Sequence, residues 1–263
     1  PSNRLAAGIL FRGKPLRPAE LLERSSRPGS RQNSPMIDYQ NVIVKKPWGY
    51  EYLMYQNEHV GVWFLSIREG ERTSLHCHPN KKTGLILLEG EARVSFLNDA
   101  KNLKALSKLN IGKGIFHSTT GVSPGGISVI EVETPREKEN LVRLDDEYER
   151  DQVAYEGPEA MIPRDETCVR LGAPEANREF HYSVVGCSLK VVKFRTSEEL
   201  RHRPADEVIA VLEGGLLSNS GDSVLSPGDV LSGDTLDRLA EKFLPAPQGT
   251  SLLVIRKENS HLK

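Results

Sequence analysis

From Asn41 to the end of the chain, short runs of β-branched and apolar residues alternate with turn residues. This alternation restricts the fold more than any other feature of the sequence. Val60-Gly-Val-Trp-Phe-Leu-Ser-Ile67, Gly84-Leu-Ile-Leu-Leu-Glu-Gly90, Glu91-Ala-Arg-Val-Ser-Phe96 and Ile127-Ser-Val-Ile-Glu-Val132 are strand-length runs. They are punctuated at Glu69-Gly70, Pro79-Asn80, Asn98-Asp99 and Ser123-Pro-Gly-Gly126. Many short strands with few helical stretches specify a sandwich or barrel, so the expected class is all-β. Residues 145–178 turn polar and acidic, carry Pro158, Pro163 and Pro174, and read as a linker. A second β-rich run follows, through Ser188-Leu-Lys-Val-Val-Lys-Phe194, Val208-Ile-Ala-Val-Leu-Glu-Gly214 and Thr250-Ser-Leu-Leu-Val-Ile-Arg256. Leu-Leu-Glu-Gly90 and Val-Leu-Glu-Gly214 align at an offset of 124, which marks the two halves as an internal repeat.

Composition excludes several functions. The 263 residues carry a net charge of −1, which argues against a nucleic-acid binder relying on broad positive charge. No run approaches the roughly 18 apolar residues of a spanning helix, so no membrane segment is expected. Three widely spaced cysteines, Cys77, Cys168 and Cys187, suit a reducing, cytoplasmic setting without a disulfide framework. Residues 1–35 differ from the rest. Arg24 to Pro35 offers no apolar residue for a core, and the first forty residues hold seven basic against three acidic side chains. That stretch reads as a flexible extension, with Met36 where a compact domain would begin.

The sharpest local feature is Leu75-His76-Cys77-His78-Pro79. On a strand, residues i and i+2 share a face, so His76 and His78 project together while Cys77 points away. A third imidazole from a neighbouring strand would complete a facial metal site with open positions. The candidate is His117, after the glycine-rich Gly112-Lys-Gly-Ile-Phe turn. Zn, Fe, Mn and Ni all suit three neutral imidazoles.

The spacing of Gly70, His76, His78 and Gly90, followed by Gly114-x-x-His117, resembles the two sequence motifs of the cupin superfamily. The segment Lys46–Arg150 is similar to the C-terminal cupin domain of type II mannose-6-phosphate isomerases. The similarity rests on Lys46-Pro-Trp-Gly-Tyr-Glu51, Gly70-Glu-Arg-Thr-Ser-Leu75, Ile130-Glu-Val-Glu-Thr-Pro135 and Leu141-Val-Arg-Leu-Asp-Asp-Glu-Tyr-Glu-Arg150. This resemblance implies jelly-roll barrels with a divalent metal held inside by histidines. It also implies a Glu ligand where this chain has Thr83, and His76 stands where those isomerases carry Gln. The second half keeps only His202 and Glu207; Leu200 and Arg238 occupy the other two ligand positions.

The expected architecture is therefore two tandem jelly-roll barrels, the second degenerate. The divisions are a 1–35 extension, a 36–150 metal-binding barrel, a 151–178 linker and a 179–263 degenerate barrel. Lys81, Lys82 and Thr83 lie beside the histidine pair as candidate substrate-binding residues. Glu131 and Glu133 share one strand face as candidate acid/base residues, and Arg143 resembles the arginine of the isomerases' closing motif. The expected partner is a small sugar, sugar phosphate or nucleotide sugar, isomerised or epimerised in the cytoplasm. The resemblance to cupins, which often associate through exposed strands, also leaves room for a homo-oligomer. Two other readings fit the residues: a non-catalytic carbohydrate-binding or regulatory cupin, and a three-histidine iron oxygenase.

Overall fold

The computed structural model describes residues 38–148, 150 and 155–258. The expected 1–35 extension lies outside them. Twelve strands belong to the first half: β1 (Val42–Lys46), β2 (Gly49–Gln56), β3 (Gly61–Ile67), β4 (Leu75–Cys77), β5 (Lys82–Glu89), β6 (Glu91–Phe96), β7 (Ala100–Lys104), β8 (Lys108–Ile111), β9 (His117–Gly121), β10 (Ile127–Thr134), β11 (Val142–Asp145) and β12 (Met161–Pro163). They form an antiparallel seven-stranded sheet ordered β12-β1-β2-β3-β10-β5-β8 and a five-stranded sheet ordered β11-β4-β9-β6-β7. From β3 onward the chain passes repeatedly from one sheet to the other, which is the jelly-roll winding. The two sheets close on a core that includes Trp63, Leu65, Leu85, Leu87, Val94 and Val129.

The second half repeats this winding with shorter pieces: β13 (Phe180–Val184), β14 (Cys187–Phe194), helix α1 (Ser197–Leu200), β15 (Val208–Glu213), β16 (Leu216–Leu217), β17 (Ser223–Leu225), β18 (Val230–Ser232), helix α2 (Gly233–Ala240), β19 (Leu244–Pro245) and β20 (Thr250–Lys257). Its sheets run β13-β14-β20-β15-β18 and β17-β16-β19. The repeated Glu-Gly turn has a physical basis. Gly90 and Gly214 sit at φ of 84° and 70°, a region that suits glycine. At the offset of 124, α1 falls where the first half has β4, and α2 falls just before the counterpart of β9. The strand that carries His76 in the first half is thus replaced by a helix in the second, whereas β19 pairs with β16 as β9 pairs with β6. Leu200, at a ligand position, is instead fully buried in the second core with Ile209, Leu216 and Leu252.

The expected linker is less irregular than its composition suggests. Among its described residues, Met161–Pro163 pairs antiparallel with Val42–Val44 and extends the large sheet. Prolines are tolerated on such an edge because the outward N–H needs no partner.

The long apolar runs have a clear reason. In β5, Leu85 and Leu87 face the first core, whereas Ile86 and Leu88 face away. In β15 and β20 the same alternation sends Ile209 and Val254 into the second core, and Ala210 and Leu253 outward. The two outward faces meet in a third core. It joins Phe64, Ile86, Leu88, Ile130 and Val132 to Leu189, Val191, Ala210, Leu253 and Ile255. Strands buried on both faces read as continuous hydrophobic runs. Gly84 permits the approach, because a Cβ there would lie 2.6 Å from Val230 Cγ1. Around this core, Lys82 Nζ reaches Asp229 (2.6 Å) and Ser226 (2.8 Å). The Asn110 amide both donates to the Val230 carbonyl and accepts from its N–H, at 2.7 and 2.9 Å.

Ile130→Ala, which empties a fully buried position in this shared core, should lower unfolding free energy by about 2–5 kcal/mol. Because the core belongs to both halves, urea denaturation should retain one cooperative transition rather than separate into two.

Candidate metal centre

Three imidazoles meet at the mouth of the first sandwich. His76 and His117 are directly opposed across β4 and β9. His78 follows β4 by one residue and returns to the same side. The ring centroids of His76 lie 4.9 Å from His78 and 4.5 Å from His117, and those of His78 and His117 are 5.6 Å apart. One ligating nitrogen of each lies within 4.8 Å of the others.

The backbone decides which nitrogen that is. Nδ1 of His76 meets the Ser74 carbonyl at 2.7 Å, Nδ1 of His78 the Asn140 carbonyl at 2.7 Å, and Nδ1 of His117 the Ile115 carbonyl at 2.9 Å. A carbonyl only accepts, so each Nδ1 carries the proton and each Nε2 keeps a lone pair. His78 Nε2 is buried with no hydrogen-bond partner. Burial also holds all three rings neutral, lowering each pKa. His76 feels His117 and His78 in addition, and His78, beside Lys81, falls to about 3. Three neutral, pre-oriented Nε2 donors with an orphaned lone pair fit a divalent cation.

Beside His76 and His78 lies a cavity of about 60 Å³, bordered by Glu131, Glu133, Lys81, Lys138, Arg143 and Arg150 among others. Beneath it is a buried network of alternating charge. Lys81 Nζ is 2.7 Å from Glu133 Oε1. Lys138 Nζ lies 3.0 Å from Glu51 and 3.4 Å from Glu133, and 3.7 Å above the Trp63 ring. Lys46 pairs with Glu51 at 3.5 Å and also with Glu156, while the Tyr155 hydroxyl donates to Glu51. Three ammonium groups thus face three carboxylates. Burial would raise the Glu133 pKa, but Lys138 and Lys81 more than reverse this and keep it ionised. Glu131, two residues earlier on the same face of β10, has no ion-pair or hydrogen-bond partner among the described residues. Burial and the neighbouring Glu133 charge push it up to about 7.

The other sequence candidates separate. Lys81 and Lys82 do not form one patch, because strand alternation sends them to opposite sides. Lys81 is 1% exposed and committed to Glu133, while Lys82 turns to Asp229 in the second half. Thr83 is buried on the interior side of β5, opposite Glu133, with its hydroxyl unpartnered. Arg143 stands on β11 opposite His76 and borders the cavity. In the second half, His202 is largely exposed, and Glu207 is consumed by Arg256 at 2.7 Å. Lys138, Glu51 and Tyr155 were not singled out from sequence. A lone Lys in a polar stretch carries no mark of burial, although the Lys46–Glu51 bracket of the motif hinted at the floor.

No family model matches the chain, and no curated protein matches it. Solved structures do resemble part of it. A KdgF from a Halomonas species shares 13% identity over 35% of this chain and 84% of its own, with a TM-score of 0.34. An RmlC-like cupin from Shewanella frigidimarina shares 19% identity over 40% and 92%, with a TM-score of 0.34. A double-stranded β-helix protein from Klebsiella pneumoniae shares 17% identity over 38% and 82%, with a TM-score of 0.31. Each of these likenesses covers two fifths or less of this chain. The jelly-roll winding and the three-histidine cluster are those expected from the motif spacing. Among the described residues, no helix is long and apolar enough to cross a membrane.

A neutral buried His is stabilising only while it stays neutral. Below pH 6.5 the unfolded chain takes up protons that folded His78 refuses, so stability falls as pH drops towards 3. Between pH 6.5 and 4.5 the metal-free protein should lose on the order of 2 kcal/mol through His78 alone. Chemical denaturation at the two pH values should show a smaller difference in His78→Gln. Thr83→Glu should add a fourth donor and tighten Zn²⁺ binding at least ten-fold in a competition titration.

Proposed function

We propose that the first half is a metal-dependent catalytic site that moves a proton on a hydroxy-carbonyl substrate. Isomerisation or epimerisation of a sugar phosphate or nucleotide sugar is the reaction class. Glu131 carries this reading. It is the one acidic group of the cavity left outside the ion pairs of the described residues, and it titrates near neutrality beside the imidazole cluster. A group with a pKa near 7 can both take a proton from carbon and return it. Glu133 is unsuited to that task, because two lysines hold it ionised.

Nε2 of His76, His78 and His117 would hold a divalent cation, which supplies Lewis acidity to a carbonyl or hydroxyl oxygen when bound. Arg143, at the rim, offers a planar fork to a phosphate. Arg150 borders the same cavity with its guanidinium held by Asp146 and Glu156. The Thr83 hydroxyl, short and unpartnered, is suited to a substrate oxygen rather than to a metal. The substitution of Thr for the expected Glu supports a second reading, in which the site binds a carbohydrate without turning it over.

A panel of aldose phosphates, mannose 6-phosphate included, assayed with Zn²⁺, Mn²⁺, Fe²⁺ and Ni²⁺, separates the two. Catalysis predicts turnover whose rate profile has a limb near pH 7. Glu131→Gln should lower kcat at least 100-fold and remove that limb while metal content stays unchanged. Full turnover by Glu131→Gln would overturn the role of Glu131. Saturable binding without turnover would favour the second reading.

A further inference from the structure

The cavity is partly open to solvent, and its sheltered part is small for the ligand class proposed for it. About 60 Å³ holds an ion and a few waters, whereas small-molecule pockets run to several hundred. Its walls differ in how firmly they are held. The strands of the large sheet are held firmly, because β3, β5 and β10 are packed on both faces. Residues 136–145 are different. Within them β11 is a sheet edge, paired only with β4 and over three positions with an irregular register. Its Val142 and Leu144 face outward, 47% and 57% exposed, so little apolar area anchors it. What pins the segment is polar. Lys138 reaches under the cavity to Glu51 and Glu133 and lies over Trp63. Asn140 accepts from the Asn80 N–H through Oδ1 at 2.9 Å, and from His78 Nδ1 through its carbonyl at 2.7 Å.

We propose that residues 136–145 form a strap that closes the cavity, latched by Lys138 and coupled to the metal centre through the Asn140 carbonyl. Lifting the strap withdraws Lys138 from its carboxylates and opens the cavity rim at Leu141 and Arg143. The same movement removes the acceptor that fixes His78, so its ring is free to turn. A cation on His78 therefore favours the closed strap, and by reciprocity a closed strap favours the cation. The latch stands on the observed contacts alone, whereas the coupling rests on the proposed metal centre.

Hydrogen exchange of the full chain, read by mass spectrometry, tests both. In the metal-free protein, amides of 136–145 should exchange at least ten-fold faster than those of β10. Lys138→Met should accelerate the strap a further ten-fold and leave β10 unchanged. Asn140→Ala removes the Asn80 contact without disturbing the ion network, and should accelerate the strap even if Lys138→Met fails to fold. Zn²⁺ should slow strap exchange at least ten-fold in the unaltered chain. Strap amides as slow as β10, and unmoved by either substitution, would overturn the latch. Stoichiometric Zn²⁺ without slower strap exchange would overturn the coupling. Failure of Zn²⁺ to bind at all would defeat the metal centre and the coupling that rests on it, while the two substitutions still decide the latch.

Discussion

The core between the two large sheets is the constraint on which the rest of this structure depends. Each large sheet has a second face that its own small sheet cannot cover, and those faces are lined by Ile86, Leu88, Ile130, Val132, Ala210, Leu253 and Ile255. Burying the Ile, Leu and Val side chains among them is worth roughly 1.5–3 kcal/mol each, an upper bound that makes separation of the halves costly. The degenerate half keeps the long strands that build this face, β14, β15 and β20. It carries helix α1 where the first half has β4.

That rigidity serves the site. A triad of imidazoles aims at one point only if the strands bearing them do not drift. Here β4 and β9 are in register, and each Nδ1 is tied to a backbone carbonyl. The charges beneath are arranged with similar economy. Three lysines are matched against three glutamates in a buried space, where an unmatched charge would be expensive. Glu131 stands outside the match, and its raised pKa follows from that position.

Much of this was legible in the sequence. The His76–His78 pair and His117 follow from strand alternation and a glycine turn. The absence of a second histidine set was visible in Leu200 and Arg238, although the helix in place of the β4 counterpart was not. The unlike fates of Glu131 and Glu133 were also hidden. Both share a strand face and a residue type, and only the lysines that arrive from residues 81 and 138 distinguish them. Lys81 and Lys82 illustrate the same limit in reverse, since adjacent lysines look alike until alternation buries one and turns the other to a different partner.

The sequence by itself determined the class of fold, the repeat and the three-histidine cluster. These depend on local periodicity: two residues per strand repeat, positive φ at Gly90 and Gly214, and imidazoles spaced to share a face. Only the tertiary structure decided which faces of the continuous apolar runs meet each other, and which carboxyl group is left free to titrate near neutrality. It also decided that residues 136–145 pair with β4 and bring the Asn140 carbonyl to His78 Nδ1. Those outcomes depend on contacts between residues far apart in the chain, and desolvation and charge pairing act through distance in space rather than distance in sequence.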